Sequence, residues 1–254
     1  ALTDHNGLFG SMEFAQAARA EGLQPITGAE VTVALDIPGI PKGLDGLGSG
    51  DLHSNPKSDP LARGCHMTLL TETPNGYANL CRLLSDAHLQ SERGRPTLPL
   101  SSLLAHTEGL IALTGCRRGP LLVALEDSVA TAELLAQRLR SAFGFRQLFI
   151  ELQDNQEKGD GYRNRSLGRL ADRFGIPVVA TGNVHYHRSE RHRLQDILVS
   201  IRNQTTLNGS HVHRRSNAHF YLAPPEEMAN RFRGRPDALF HTLEIAERCA
   251  AFDL

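Results

Sequence analysis

A surplus of basic side chains is missing from this sequence: its 254 residues carry 27 Lys and Arg against 28 Asp and Glu, a formal net charge of −1. Stand-alone nucleic-acid binders concentrate positive charge to pair with phosphates, so any contact with DNA must be local or supplied by polypeptide outside these residues. No run of about 18 apolar residues is present to cross a membrane, and no basic, apolar, small-residue leader opens the chain. Cysteine is scarce: Cys65, Cys81, Cys116 and Cys249 lie far apart, with no CxxC pair. That spacing suits reduced thiols, and hence a cytoplasmic location, better than a disulfide framework. Neither a glycine-rich phosphate loop nor a GxSxG elbow occurs.

What is present is enough apolar material, 40% of residues against 22% charged, to build one large α/β domain or two small ones. Histidine is plentiful at twelve, so a metal site is worth seeking. The chain opens Ala-Leu-Thr-Asp-His without Met, inside what reads as a strand end, and is therefore read as a fragment.

Short apolar runs alternate with amphipathic stretches. Ser11 can cap a helix stopped by Gly22. Residues 25–35 read as a strand, and 36–64, rich in Gly, Pro, Ser and Asp, as a long exposed loop. Strands are then expected at 66–71, 109–114, 147–152 and 177–181, and helices at 76–87, 128–143, 162–174, 191–202, 224–232 and 236–250. The 191–202 helix is expected to turn Leu194, Ile197, Leu198 and Ile201 inward. Repeated β-then-α units predict a mostly parallel sheet or barrel with helices outside. In such folds chemistry collects at the carboxyl ends of the strands.

Reactive side chains follow that rule in the sequence. Asp4 and His5 follow the first apolar stub, Glu30 lies in or near the end of the second strand, and His66 at the edge of the third. Cys116 follows Leu-Ile-Ala-Leu-Thr-Gly, and His185 follows Val-Val-Ala-Thr-Gly-Asn-Val. Imidazole, carboxylate and one thiolate suit Zn²⁺, Mn²⁺ or Fe²⁺, and grouped ions can clamp a phosphate and activate a water. Singly, each has a plainer reading: a hydrogen-bonded structural His, a buried thiol, a salt-bridging Glu. Their joint placement at one end of successive strands favours ligands. His211-Val212-His213 sits in a polar context and is assigned no metal, and His187 is read as solvent-facing. Arg117 and Arg118 could approach a phosphate beside the site, although a solvated turn is the plainer reading.

Several segments in order resemble a known family: Leu2-Thr3-Asp4-His5-Asn6-Gly7-Leu8, Gly28-Ala29-Glu30, His66-Met67-Thr68-Leu69-Leu70, Leu113-Thr114-Gly115-Cys116-Arg117-Arg118-Gly119 and Ala180-Thr181-Gly182-Asn183-Val184-His185-Tyr186. Together they are similar to the PHP (polymerase and histidinol phosphatase) domain of bacterial C-family DNA polymerases, the DNA polymerase III alpha type. Ala87-His88-Leu89, the run at 95–100 and Arg193-Leu194-Gln195-Asp196-Ile197-Leu198 look closest to the error-prone branch.

The resemblance implies a distorted barrel of seven βα units holding up to three metal ions. In this chain the barrel would be truncated at its N-terminal strand, because the family's opening HxH pair and a following Asp would lie upstream of Ala1. It implies a PHP domain over 1–222 and a helical connection toward a polymerase palm over 223–254. Carried over, His5, Glu30, His66, Cys116 and His185 match ligand positions. Asn183 stands where metal-binding members often have Asp, and its neutral amide is a poorer bridge between cations.

Three functions compete: a module that braces a DNA-synthesising, damage-tolerant enzyme, a metal-dependent phosphoesterase or 3′–5′ proofreading exonuclease, and a free-standing histidinol-phosphatase-like enzyme. The tail, Pro225-Glu226-Glu227-Met228 and Thr242-Leu243-Glu244-Ile245-Ala246-Glu247-Arg248-Cys249, resembles the family's stretch leading into the palm and disfavours the last, and the missing ligands with Asn183 disfavour the second. On the first reading the implied partners are DNA through the parent polymerase and other polymerase or mutagenesis-complex subunits, with Mg²⁺ at a polymerase site outside this chain.

Overall fold

The computed structural model describes residues 1–41 and 64–254. Most of the loop expected over 36–64 thus lies outside the described residues. Its first part is not an exposed loop, however, because Ile37 and Ile40 are buried in the core. Asp36 anchors that turn by accepting hydrogen bonds from Ser101 N at 2.9 Å and Ser101 Oγ at 2.5 Å.

Among the described residues seven strands form one sheet: β1 (Leu2–His5), β2 (Thr27–Ala34), β3 (Cys65–Thr71), β4 (Leu98–Pro99), β5 (Leu110–Leu113), β6 (Leu148–Gln153) and β7 (Val178–Thr181). Their order is β1-β2-β3-β5-β6-β7, with β4 pairing β2 to one side. The sheet is not uniformly parallel. β3 runs antiparallel to both of its neighbours, β2 and β5, while the β1–β2, β5–β6 and β6–β7 pairs are parallel.

The helices are α1 (Ser11–Ala20), α2 (Pro74–Gln90), α3 (Leu100–Leu104), α4 (Pro120–Asp127), α5 (Val129–Phe143), α6 (Asp160–Phe174), α7 (His192–Arg202), α8 (Pro225–Arg231) and α9 (Pro236–Cys249). Local chemistry sets several of their ends. Thr73 caps α2 by accepting from Gly76 N at 3.1 Å, with Pro74 in the first turn. Leu80, Leu83, Leu84 and Ala87 recur at helical spacing and are buried. Ser128 caps α5 by accepting from Thr131 N at 3.1 Å.

Strand alternation sorts side chains onto two faces. Val31, Val33, Met67, Leu69, Ala112, Ile150 and Val178 join the large core with α2, α4, α5 and α6. On the other face Leu70, Ile111, Leu113, Phe149 and Val179 meet Ile245 and Cys249 of α9. Full burial of a side chain such as Ile245 contributes roughly 1.5–3 kcal/mol, so α9 is an integral cover of that face. His241 fixes it further, with Nδ1 2.7 Å from the Val178 carbonyl oxygen.

The sheet curls about this second face. β1 and β7 stand at opposite ends of the strand order. Yet residues of both line one cavity of about 570 Å³, together with Glu30, Thr68, Leu70, Leu113 and Glu151.

One expectation fails. Leu194, Ile197, Leu198 and Ile201 of α7 are 47%, 47%, 51% and 66% exposed, and Ser200 alone on that helix is buried. Helical periodicity identifies an apolar stripe but carries no information about what covers it.

Candidate metal centre

Two strand registers assemble the centre. β1 runs alongside β2 with His5 opposite Glu30, and β3 runs back along β2 with Thr68 opposite Glu30 and His66 opposite Thr32. Side chains directly opposite or two residues apart share a face of the pleat. His5, Glu30 and His66 therefore point the same way, and their donor atoms all lie within 4.8 Å of one another. Glu30 in the second strand and His66 at the edge of the third stand where the sequence places them, but strand pairing, and not a shared carboxyl end, brings them together. Glu30 lies within β2, and His66 lies at the start of β3, which the reversed direction of that strand brings to the same rim.

The chain after His5 is pinned to the same place. Asn6, buried at φ +52°, donates through Nδ2 to Thr32 Oγ1 at 2.9 Å and accepts through Oδ1 from Thr32 N at 2.7 Å. Asn tolerates this left-handed backbone better than most residues. Its own N–H donates to the Glu30 carbonyl at 2.7 Å. Asp4 takes the Gly10 N–H at 2.8 Å and so faces the start of α1.

Glu30 Oε1 is approached by His5 Nδ1 at 2.7 Å and His66 Nδ1 at 2.8 Å. Neither ring is aligned to donate to it, and this buried oxygen has no hydrogen-bond partner. Burial opposes the charge on Glu30, but the two imidazoles beside it prevail and hold the carboxyl well below the usual carboxylate range. Burial likewise pulls His66 down, while Cys116 and Glu30 outweigh it and push the imidazole up to about 10. Cys116 reaches the group from the β5–α4 turn, with Sγ 3.7 Å from His66 Nδ1.

His185 and Asn183 form the opposite wall. The His185 N–H donates to the Phe220 carbonyl at 2.8 Å, and Nε2 lies 3.2 Å from Asn183 Oδ1. Arg215 Nη2 stands 2.5 Å from the same Nε2, with its guanidinium 4.2 Å from the Phe220 ring centre. An arginine can only donate, so His185 Nε2 accepts and the ring proton belongs on Nδ1. Burial first, then the Arg215 charge, push the His185 imidazole down to about 3, so the ring is neutral. His5, Glu30, Asn183 and His185 all line the 570 Å³ cavity. Cys116 lines an adjoining one, whose wall also includes Asn183.

Of the two arginines that follow Cys116, Arg117 lines this second cavity and Arg118 is not among its lining residues. Arg117 Nη1 pairs with Glu157 Oε2 at 2.9 Å. Arg118 donates to the Gly64 carbonyl at 3.2 Å, while its own carbonyl accepts from His66 N at 2.9 Å. His211 and Val212 are exposed in a turn and His187 is exposed. Two residues were missed by sequence reasoning. Arg215 lies in the polar stretch that follows His213, where no periodicity points to it. Glu151 was passed over within an apolar strand, although strand alternation places it on the face that carries Glu30.

The donor set fits a divalent ion of the first transition row. Two imidazoles and a carboxylate converge without hydrogen-bond alignment, and His66 Nε2 and Glu30 Oε1 are buried polar atoms without partners. Such atoms are rare unless a further partner satisfies them.

This combination of a curled α/β sheet with a His/Glu rim is a PHP architecture. The chain belongs to the PHP domain family, whose model matches residues 1–155. Across 98% of its length it is 39% identical to an error-prone DNA polymerase of Symbiobacterium thermophilum, covering 22% of that protein. It is 34% identical to a DNA polymerase III subunit alpha of Thermus aquaticus and 33% identical to an error-prone DNA polymerase of Cutibacterium acnes, covering 20% and 21% of them. The chain thus spans about a fifth of the length of the curated relatives it matches. Among the described residues no helix is long and apolar enough to cross a membrane.

Proposed function

We propose that this chain is the PHP module of a bacterial error-prone DNA polymerase acting in damage-tolerant synthesis in the cytoplasm. There it braces the polymerase and holds metal without efficient hydrolysis. Similarity to error-prone polymerases over 98% of the chain carries this reading. On it, residues 1–222 form the PHP domain and 223–254 lead toward the palm. DNA is met through the parent enzyme, whose palm would use Mg²⁺, and other polymerase or mutagenesis-complex subunits complete the assembly.

His5, Glu30 and His66 would hold one divalent ion, Zn²⁺, Mn²⁺ or Fe²⁺. Cys116, Asn183 and His185 would complete the cluster, and Arg117 and Arg118 would stand where a phosphate approaches. A bound ion supplies positive charge for a phosphate oxygen and lowers the pKa of a coordinated water. Glu30 brings the anionic charge, His5 and His66 orient around it, and neutral His185 keeps a ring nitrogen in the ligand-competent state. Asn183 is the reason for a bracing role. Its amide carries no charge, so a second ion would lack the bridging carboxylate at this position that a hydrolytic pair uses.

The chain titrated with Mn²⁺ or Zn²⁺ and offered 3′-labelled DNA tests the proposal. The expected result is thermal stabilisation by metal with no shortening of the label. Metal-dependent removal of 3′ nucleotides that disappears in His185→Ala would establish the exonuclease reading instead.

A further inference from the structure

Glu151, in β6, has no role in the centre as described above, yet its surroundings are those of a site residue. Strand alternation puts Phe149, Glu151 and Gln153 on the curled-in face. Phe149 meets α9 in the apolar floor, and the carboxylate lies one step further toward the rim. The residue is only 4% exposed. Oε1 accepts from Gln153 Nε2 at 2.9 Å and also from Thr181 Oγ1. Oε2 is buried and has no hydrogen-bond partner. A buried carboxylate oxygen without an aligned partner is unfavourable and calls for one.

Its position singles it out further. Glu151, Gln153 and Asn183 are the residues shared by the two cavities, one lined by His5, Glu30 and His185 and the other by Cys116. They form the partition between the two halves of the candidate ligand set. Asn183 and Glu151, whose Oε2 has no partner, therefore line both cavities. Burial pushes the Glu151 carboxyl up, and the charge of Glu30 adds to that, against hydrogen bonds from Thr181 and Gln153 and the Gly115 backbone, which favour the ionised form.

We propose that Glu151 is a further acidic residue of the metal centre, supplying through Oε2 the negative charge that Asn183 does not. It would act on a divalent ion held between the His5/Glu30/His185 side and the Cys116 side, directly or through a coordinated water. This rests on the metal-binding reading of the site. Gln153 and Thr181 are then positioning residues, holding Oε1 so that Oε2 faces the partition.

Glu151→Gln is the decisive variant, because a glutamine side-chain oxygen can still accept from Gln153 and Thr181 while losing the charge. Calorimetric titration of the chain with Mn²⁺ and with Zn²⁺ reads number and affinity of bound ions, and melting in chelator reads the fold. The expected result is an unchanged metal-free melting temperature with about ten- to hundred-fold weaker binding of one ion. Adding Asn183→Asp to that variant should recover the lost affinity. Binding of the same ions with the same affinity in Glu151→Gln overturns the role of Glu151 while leaving the His5/Glu30/His66 site intact. Absence of any binding by the unaltered chain sinks the metal reading itself, and this proposal with it. If Glu151→Gln does not fold, the ¹³C carboxyl resonance of Glu151 in the unaltered chain decides: it must move when Zn²⁺ is added, and a resonance that stays put overturns the proposal.

Discussion

A Cβ built on Gly115 would stand 1.8 Å from the carbonyl oxygen of His66. The turn that presents Cys116 is thus laid directly on the start of β3, and Gly115 adopts φ +82°, a backbone that side chains disfavour. The neighbouring contact is backbone and cannot rotate away. Gly115→Ala should therefore destabilise by about 1–3 kcal/mol from the backbone conformation alone, with the steric clash adding to it. For a domain of this size each kcal/mol lowers the melting temperature by roughly 2–4 °C. A melting temperature within 1 °C of the unaltered chain would show that the turn does not bear on His66.

Much of this arrangement was legible in the sequence, and the reasons for the exceptions are physical. His5, Glu30 and His66 could be picked out because donor residue types fell beside apolar runs of strand length. The direction of β3 could not be read, since alternation is the same for parallel and antiparallel strands; only pairing shows that His66 reaches the rim from the opposite end. Ile37 and Ile40 were hidden in a stretch whose Gly and Pro content indicates a loop but not whether it packs. Arg215 meets His185 across thirty residues that include α7, and no local pattern encodes such a contact.

The histidines give the metal-free chain opposing pH dependences. His66 is pushed up to about 10 in the fold, so its stabilising contribution is complete below its unfolded value near 6.5 and is lost as pH rises toward 10. His185 is pushed down to about 3, so its contribution is present above 6.5 and is lost as pH falls toward 3. The lowered carboxyl of Glu30 adds to the acid-side loss, because it favours the fold only while ionised. Urea unfolding in chelator, run from about pH 5 to pH 9, should show greatest stability near neutrality. His66→Asn should flatten the alkaline limb, and an alkaline limb of unchanged slope would contradict the His66 assignment.

Arg215 competes with any ion for the lone pair on His185 Nε2, which it approaches at 2.5 Å. Burial remains the larger cause of the low basicity of His185, so removing the guanidinium should restore part of it and no more. In Arg215→Ala the His185 ring resonances, followed by NMR, should titrate at a higher pH than in the unaltered chain, still below the ordinary histidine value. Loss of the stacking on Phe220 should cost about 0.5–2 kcal/mol. An unshifted titration would place the guanidinium away from the ring in solution.

The apolar stripe of α7 gives a prediction about what the chain does not need. Substitutions on an uncovered surface usually change stability by less than about 0.5 kcal/mol. Ile201→Ser and Leu198→Ser, at residues 66% and 51% exposed, should leave urea midpoints nearly unaltered. Leu84→Ala in α2, where the side chain is 7% exposed, should cost about 2–5 kcal/mol. Equal losses at both places would mean that the stripe is covered within this chain after all.

Glu30 offers the sharpest separation between an ion-pair network and a metal centre, because the two assign opposite consequences to adding a divalent cation. As a network, the Glu30 carboxylate serves His5 and His66, and a cation would only displace protons without net gain. As a centre, the ion binds the folded chain alone and stabilises it by mass action, about 2.7 kcal/mol at a hundred times its dissociation constant. That corresponds to a rise of roughly 5–11 °C in melting temperature for a domain of this size. Glu30→Gln keeps the side-chain shape and removes the charge, so it should abolish most of that rise while the chain still folds in chelator. A metal-induced rise of the same size in Glu30→Gln would remove Glu30 from the centre.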